Sequence, residues 1–388
     1  MSAPAGCWDQ LDPRALETFL KGQVLVSSKD NARALRGVLA QLEPILDQVH
    51  ARDARLSSNF QRSGSYIEGL KVSEPNEFDF LVPLNGLPGP PAEHPLPSGP
   101  SVVGVAEPPP DGSFRAVMLR SDPLARPEGS AFIVMPCSAP FTLIVPSRQY
   151  CWSDVTGCAS LLIPEKVMDL FKTHVREVVS SQKGAVTVRP LLKETPAVTL
   201  MVTYYRKEIS VDLVPLIKNP FFGWTIPWPR SGQSWLSAEK ISEIKDTGVD
   251  LVAKHKLYWR YSFSRIERVL LAKIDEDGGR RRDSLRILKK VREDKWKTKF
   301  GKVLVSYHLK TVLFWACEEN PSPSDWKDLA RSFARLVDKL VSCLKEGRLN
   351  HYFLGSDVNL FKPEHSSRLK DLWKDVIKFR TSPMSHFQ

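Results

Sequence analysis

The sequence has no CxxC pair. Its six cysteines, Cys7, Cys137, Cys151, Cys158, Cys317 and Cys343, are scattered along 388 residues. That spacing argues against a disulfide framework or a zinc finger and points to a reducing compartment, the cytoplasm or the nucleus. No stretch approaches the ~18 consecutive apolar residues of a membrane span. The opening run MSAPAGCWDQLDPR lacks a basic region followed by an apolar one, so no secretory signal is expected. No internal repeat is found. Negative charge is in the minority: 44 Asp+Glu stand against 55 Lys+Arg, a formal +11. Such a balance suits a polyanionic partner, whether nucleic acid, nucleotide phosphates or an anionic membrane surface, although it also suits a merely soluble basic protein.

What is present is patterned. Leu35, Val38, Leu39, Leu42, Ile45, Leu46 and Val49 recur at helical spacing between Asp30 and His50, with Asp30 or Asn31 available as N-cap. A turn, Ser63-Gly64-Ser65, precedes the alternating strand Glu77–Val82. Residues 84–130 are rich in proline and glycine and are expected to be largely loop. β-like runs follow at Ala131–Met135, Phe141–Val145, Val186–Pro190, Ala197–Tyr205 and Glu208–Val214. The last two are separated by Arg206-Lys207 in the manner of a hairpin. A helix is expected over Ile163–Val179, starting at Pro164. After about residue 235 the pattern turns helical, with candidates at Ser237–Thr247, Ser264–Asp275, Arg282–Trp296, Tyr307–Glu318, Ser324–Lys345 and Ser366–Phe379. The expected fold is α+β and bilobal. A mixed sheet with a spine helix would fill residues 1–235, and an all-helical lobe residues 236–388.

The chemistry-bearing pattern is Gly64-Ser65, then Glu77-x-Asp79, then Asp212. Alternate strand residues share a face, so Glu77 and Asp79 point one way and Phe78 and Phe80 the other. Two acids on one face of an apolar strand are costly unless solvated or bound to cations. Asp212, in the β-like run Ile209–Val214, supplies a third carboxylate if the two strands lie side by side. Three converging carboxylates suit a site for two divalent cations that performs phosphoryl transfer. Gly64 permits close backbone approach to a phosphate, and the Ser65 hydroxyl can bond one of its oxygens.

The run GSYIEGLKVSEPNEFDFLVPL resembles the activation segment and metal strand of the cyclic GMP-AMP synthase and male-abnormal-21 family. RKEISVDLVP is similar to the segment carrying that family's third acid. YWRYSFSRIERVLL, SYHLKTVLFWACEENP and LNHYFLGSDVNLF resemble its helical lobe, in order, so the likeness runs over roughly residues 30–380. It implies a nucleotidyltransferase core in which Glu77, Asp79 and Asp212 hold Mg2+ or Mn2+. It also implies ATP and GTP as substrates and a cyclic dinucleotide as product, itself read by a receptor such as STING. Alternatives are an inactive scaffold or nucleotide-sensing interaction protein of the same fold, and a polymerase-like enzyme making linear products.

The resemblance further proposes that Tyr307 stacks on a base, that Ser306 and Lys289 reach phosphates, and that Arg260, Ser262 and Glu267 read base edges or the second nucleotide. Arg282, Arg286 and Lys289 recur at three and four residues, which places them on one helix face suited to tracking a duplex backbone. Arg268, Arg282 and Arg286 match basic positions that grip duplex nucleic acid in the family, and Arg62 lies beside the activation segment. The family's zinc module would fall at Asp275–Arg280, but DEDGGR holds neither cysteine nor histidine. No structural zinc is therefore expected, and duplex RNA is expected as activator in preference to DNA.

Overall fold

The computed structural model describes residues 8, 11–25, 27–73, 76–86, 115–117, 130–134, 153–155, 162–182, 186–188, 197–218, 226–232, 235–254 and 259–387. The chain opens with helix α1 (Pro13–Phe19) and a π-helical turn over Leu20–Val24. The long spine helix α2 follows (Ser28–Arg52). Its N-cap is Ser27, whose hydroxyl accepts from the Asp30 amide, rather than Asp30 or Asn31. Several capping residue types stand together there, and only the chain path selects one. Leu35, Val38, Leu42, Ile45, Leu46 and Val49 are buried as the periodicity predicts.

The spine packs against helix α4 (Pro164–Ser181) and a mixed sheet. Strands β1 (Gln61–Ser63) and β2 (Glu77–Pro83) flank the short helix α3 (Gly64–Ile67). Next come β3 (Arg115–Val117), β4 (Ser130–Val134), β5 (Val186–Val188), β6 (Val198–Tyr204) and β7 (Lys207–Ile217). The interval 84–130 thus carries a strand, β3, which pairs with β4. Proline density does not reach the Arg115–Val117 run itself. The run expected at Phe141–Val145 lies outside the described residues.

The β6–β7 turn falls at Tyr205–Arg206, with φ of 46° and 62°, one residue earlier than expected. Two successive left-handed residues match the twist of a tight hairpin. Tyr204 then lies against Gly37 of the spine, where an added Cβ would come within 2.2 Å of the ring.

Helix α5 (Ala238–Thr247) precedes strands β8 (Asp250–Val252) and β9 (Trp259–Ser262), which return to the sheet. The sheet therefore draws strands from beyond residue 236, and the helical lobe proper begins later. That lobe comprises α6 (Ser264–Ala272), α7 (Arg281–Val291), α8 (Lys297–Phe300), α9 (Ser306–Glu319), α10 (Leu329–Glu346), α11 (Ser366–Thr381) and α12 (Met384–Phe387). A small hairpin, β10 (Asn350–His351) with β11 (Gly355–Asn359), precedes α11. One continuous cluster of buried apolar side chains runs from the spine through the sheet into the helices.

Among the described residues the sheet has nine strands. β2 is antiparallel to β1 and parallel to β7; β7 pairs along its other edge with β6 and then β8. The face of β2 bearing Phe78, Phe80 and Val82 joins the main core. On the opposite face, Leu81 packs with Val214, Leu216 and Val252. Glu77, Asp79 and Asp212 lie on this second face, at the end where the apolar cover stops.

Candidate active site

The parallel register of β2 on β7 sets Asp79 beside Asp212 and Glu77 beside Ser210. Carboxylate oxygens of Glu77, Asp79 and Asp212 all lie within 4.8 Å of one another, the one such group of potential metal ligands among the described residues. Glu77 is exposed and the other two are half-buried. Thr199, opposite Asp212 on β6, donates its hydroxyl proton to Asp212 Oδ1 at 2.6 Å and fixes that carboxylate's rotamer.

The electrostatics are those of like charges held close together. Burial, followed by the charges of Glu77, Asp212 and Glu68, pushes the Asp79 carboxyl up to about 7; Lys71 opposes the shift. Three acids of one sign on a partly dry face repel one another, and a divalent cation removes that repulsion. A hard cation takes oxygen donors of this kind, so the residues present fit Mg2+ or Mn2+. Gly64 abuts the Asp79 carboxylate. It has φ of +76°, and a Cβ there would stand 1.9 Å from Asp79 Oδ2. Both the backbone conformation and the space exclude a side chain. Ser65 sits next in α3, and its carbonyl accepts from the Leu70 amide at 2.7 Å.

A second cluster lies in the helical lobe. Tyr307, second residue of α9, is half-buried and its hydroxyl meets His351 Nε2 at 2.9 Å. His351 Nδ1 accepts from the Phe353 and Leu354 amides at 3.2 and 3.3 Å. The ring proton therefore sits on Nε2 and is donated to the Tyr307 oxygen. That leaves the Tyr307 hydroxyl proton for Glu267, with which it is hydrogen-bonded. Burial, then Glu267, raises Tyr307 well above the ordinary tyrosine range, and Arg260 opposes this. Burial and Arg260 push His351 down to about 3, which keeps it neutral. Glu267 is 4% exposed and pairs with Lys310 Nζ at 2.6 Å, while the same ammonium reaches Glu68 at 2.7 Å.

The structure thus brings Arg260, Glu267 and Tyr307 together. Ser306 is the first residue of α9, and Ser262 is half-buried with its hydroxyl on Ser264 at 3.2 Å. Lys289 is placed differently from a solvent-facing phosphate ligand. It is 6% exposed and donates to the Leu70 carbonyl at 2.5 Å, and burial brings its ammonium down to about 8. The rest of the expected stripe also has internal partners. Arg286 Nε donates to the Gly69 carbonyl at 2.6 Å, and Arg282 donates to the Leu271 and Ala272 carbonyls at the end of α6. Arg62 is exposed on β1 and Arg268 half-buried on α6. Sequence reasoning passed over Lys310, Glu68 and His351. The i,i+3 spacing of Tyr307 and Lys310, which puts both on one helix face, was the available signal.

The turn at Asp275–Arg280 is closed by its own ion pairs. Asp275 accepts from the Arg281 and Arg282 amides at 2.9 and 3.0 Å, capping α7. Asp277 takes both arms of the buried Arg281 guanidinium at 2.7 and 2.8 Å. Arg281 in turn lies 5.2 Å from the centre of the Trp326 ring.

Comparison with known proteins agrees with this architecture. The Mab-21 protein nucleotidyltransferase domain matches residues 138–273, and the Mab-21 protein HhH/H2TH-like domain matches residues 280–378. Protein mab-21-like 3 of Danio rerio is 35% identical over 223 residues, 57% of this chain and 57% of its own length. Protein mab-21-like 3 of Xenopus laevis is 27% identical over 369 residues, 90% of this chain and 92% of its own. Cyclic GMP-AMP synthase of Sus scrofa is 27% identical over 392 residues, 93% and 68% respectively. A nucleotidyltransferase lobe with its acids on adjacent parallel strands, followed by the matching helical lobe, makes this chain a member of the Mab-21 family, distantly related to cyclic GMP-AMP synthase.

Proposed function

We propose that the protein is a divalent-metal-dependent nucleotidyltransferase that joins ATP and GTP into a cyclic dinucleotide when duplex nucleic acid engages it. The supporting observation is the convergence of Glu77, Asp79 and Asp212 beneath Gly64, with Asp79 pushed up to about 7. A clustered, mutually repelling acid set is costly to keep, and a site that neutralises it with cations recovers that cost. Mg2+ or Mn2+ held by these three residues supplies charge neutralisation and polarisation to the triphosphate and the attacking hydroxyl.

The chain's own residues do the rest. Asp212, oriented by Thr199, is the group placed to accept the proton of an attacking hydroxyl. Gly64 brings backbone against Asp79, and Ser65 follows it with a hydroxyl suited to a phosphate oxygen. Tyr307, braced by His351 and Glu267, offers a ring edge-anchored against rotation for a base to stack on. Arg260, beside it, and Ser262, two residues along the same strand, suit a second nucleotide. Lys289 contacts a phosphate only on releasing the Leu70 carbonyl. For a duplex, Arg62 and Arg268 offer surface charge, and Arg282 and Arg286 join them on exchanging carbonyls for phosphates. RNA is favoured over DNA because the Asp275–Arg280 turn, closed by Arg281, holds neither cysteine nor histidine for the family's zinc module and so resembles the zinc-free relatives. The product would be read by a cyclic-dinucleotide receptor such as STING, in the cytoplasm.

A second reading is a scaffold that keeps the fold and binds nucleotide without turnover. The internal engagement of Lys289, Arg282 and Arg286 favours it, since a poised enzyme has phosphate-binding cations free. One assay separates the two. Purified protein is incubated with labelled ATP and GTP, Mg2+ or Mn2+, and duplex RNA, duplex DNA or no ligand, and products are identified by mass. Cyclic dinucleotide formation stimulated most by duplex RNA is expected. Nucleotide binding with no transfer in every arm would establish the scaffold.

A further inference from the structure

The turn after Gly64–Ser65 presents three acceptors in succession to the helical lobe, and each is taken by a different cation. The Glu68 carboxylate receives Lys310 at 2.7 Å, the Gly69 carbonyl receives Arg286 at 2.6 Å, and the Leu70 carbonyl receives Lys289 at 2.5 Å. Lys310 belongs to α9; Arg286 and Lys289 lie three apart on α7. Gly69 is shaped for this contact. Its φ is +69°, and an added Cβ would lie 3.3 Å from Arg286 Nη2. Inside the turn, the Glu68 amide donates to the Gly64 carbonyl at 3.2 Å and the Leu70 amide to the Ser65 carbonyl at 2.7 Å. A pull on residues 68–70 is therefore a pull on Gly64 and Ser65, and Gly64 abuts Asp79.

We propose that Arg286 and Lys310 are positioning residues: from the helical lobe they latch the Glu68–Leu70 turn and thereby hold Gly64–Ser65 over the metal acids. This rests on the nucleotidyltransferase reading only in what the positioned groups are for. The latch explains why a stripe that sequence periodicity assigns to solvent is turned inward. A buried ammonium between two carboxylates, Glu68 and Glu267, also ties the same turn to the Tyr307 platform. The two halves of the site thus share one buried ion.

The test is hydrogen exchange of the full chain without nucleotide or nucleic acid, together with Mn2+ binding followed by electron paramagnetic resonance. Arg286→Gln removes the charged donor to Gly69, and Arg286→Lys retains one. In Arg286→Gln, amides of residues 65–72 are expected to exchange about tenfold faster or more, and Mn2+ affinity to fall several-fold. In Arg286→Lys both return toward wild type. Amides of β7 over Val211–Val214 report the fold and are expected to stay protected in every variant. Lys310→Met combined with Glu68→Gln and Glu267→Gln, which strands neither of the ammonium's two carboxylates, is expected to loosen the same amides. Unchanged exchange at 65–72 in Arg286→Gln would overturn the latch, as would faster exchange spread equally into β7. Neither readout requires turnover, so a chain that forms no product still decides the matter.

Discussion

Asp79 carries most of the strain of crowding like charges together. Its carboxyl is half-buried among Glu77, Asp212 and Glu68, and the shift up to about 7 records the cost of ionising it there. Replacing it with Asn keeps the shape and removes one of the repelling charges. Without divalent ions, Asp79→Asn is expected to be more stable than wild type by about 1–2 kcal/mol. Millimolar Mn2+ should raise the melting temperature of wild type and leave the variant nearly unmoved. Calorimetry with and without Mn2+ checks both; a variant that is less stable than wild type and still responds to Mn2+ would separate Asp79 from the metal site. Glu77, Asp79 and Asp212 were legible in the sequence because alternation fixes which strand residues share a face. The side chains that hold them were less so. Thr199 looks like any strand threonine until the β6–β7 register puts it opposite Asp212.

Elements were read well where periodicity is long and poorly where geometry is local. The spine, α4 and α10 declare themselves by apolar spacing, and β2 and β7 by alternation. The cap at Ser27, the turn at Tyr205–Arg206 and the strand Arg115–Val117 depend on which of several acceptable residues the chain path uses. The inward turn of α7 was not readable at all, since Arg286 and Lys289 bind backbone carbonyls, which carry no residue identity. The start of α9 and the β10 hairpin make a further element-scale prediction. His308 and His351 are 8% and 3% exposed, and burial brings them down to about 4 and about 3. Both folded values lie below the unfolded ~6.5, so the unfolded chain binds more protons as pH falls through 6.5. Stability is therefore complete above that pH and lost below it, on the order of 2 kcal/mol per histidine by pH 5. Urea midpoints at pH 7.5 and 5 measure the loss, and His308→Gln should remove its own share. A midpoint equal at both pH values would contradict the buried neutral assignment.

On the scale of the whole molecule, the two lobes meet over one site rather than abutting as separate bodies. Strands β8 and β9 return to the sheet after the first helix beyond residue 236, and the apolar core runs unbroken through both halves. The acids come from the sheet and the Tyr307–His351 pair from the helical lobe, while the Glu68–Lys310–Glu267 ion joins the two sides. This arrangement gives the helical lobe a physical route to the three acids, through α7 and α9 to the turn after Ser65. A net charge of +11 adds a long-range attraction for polyanions to this route. The central claim is that the three acids form a working divalent centre for nucleotidyl transfer. The most direct measurement compares wild type with Glu77→Gln/Asp79→Asn under identical Mn2+, ATP, GTP and duplex RNA, following pyrophosphate release and product together. The account predicts steady release by wild type and a rate lower by about a thousandfold or more in a double variant that melts no lower than wild type. Product formed by the folded double variant at the wild-type rate would contradict it.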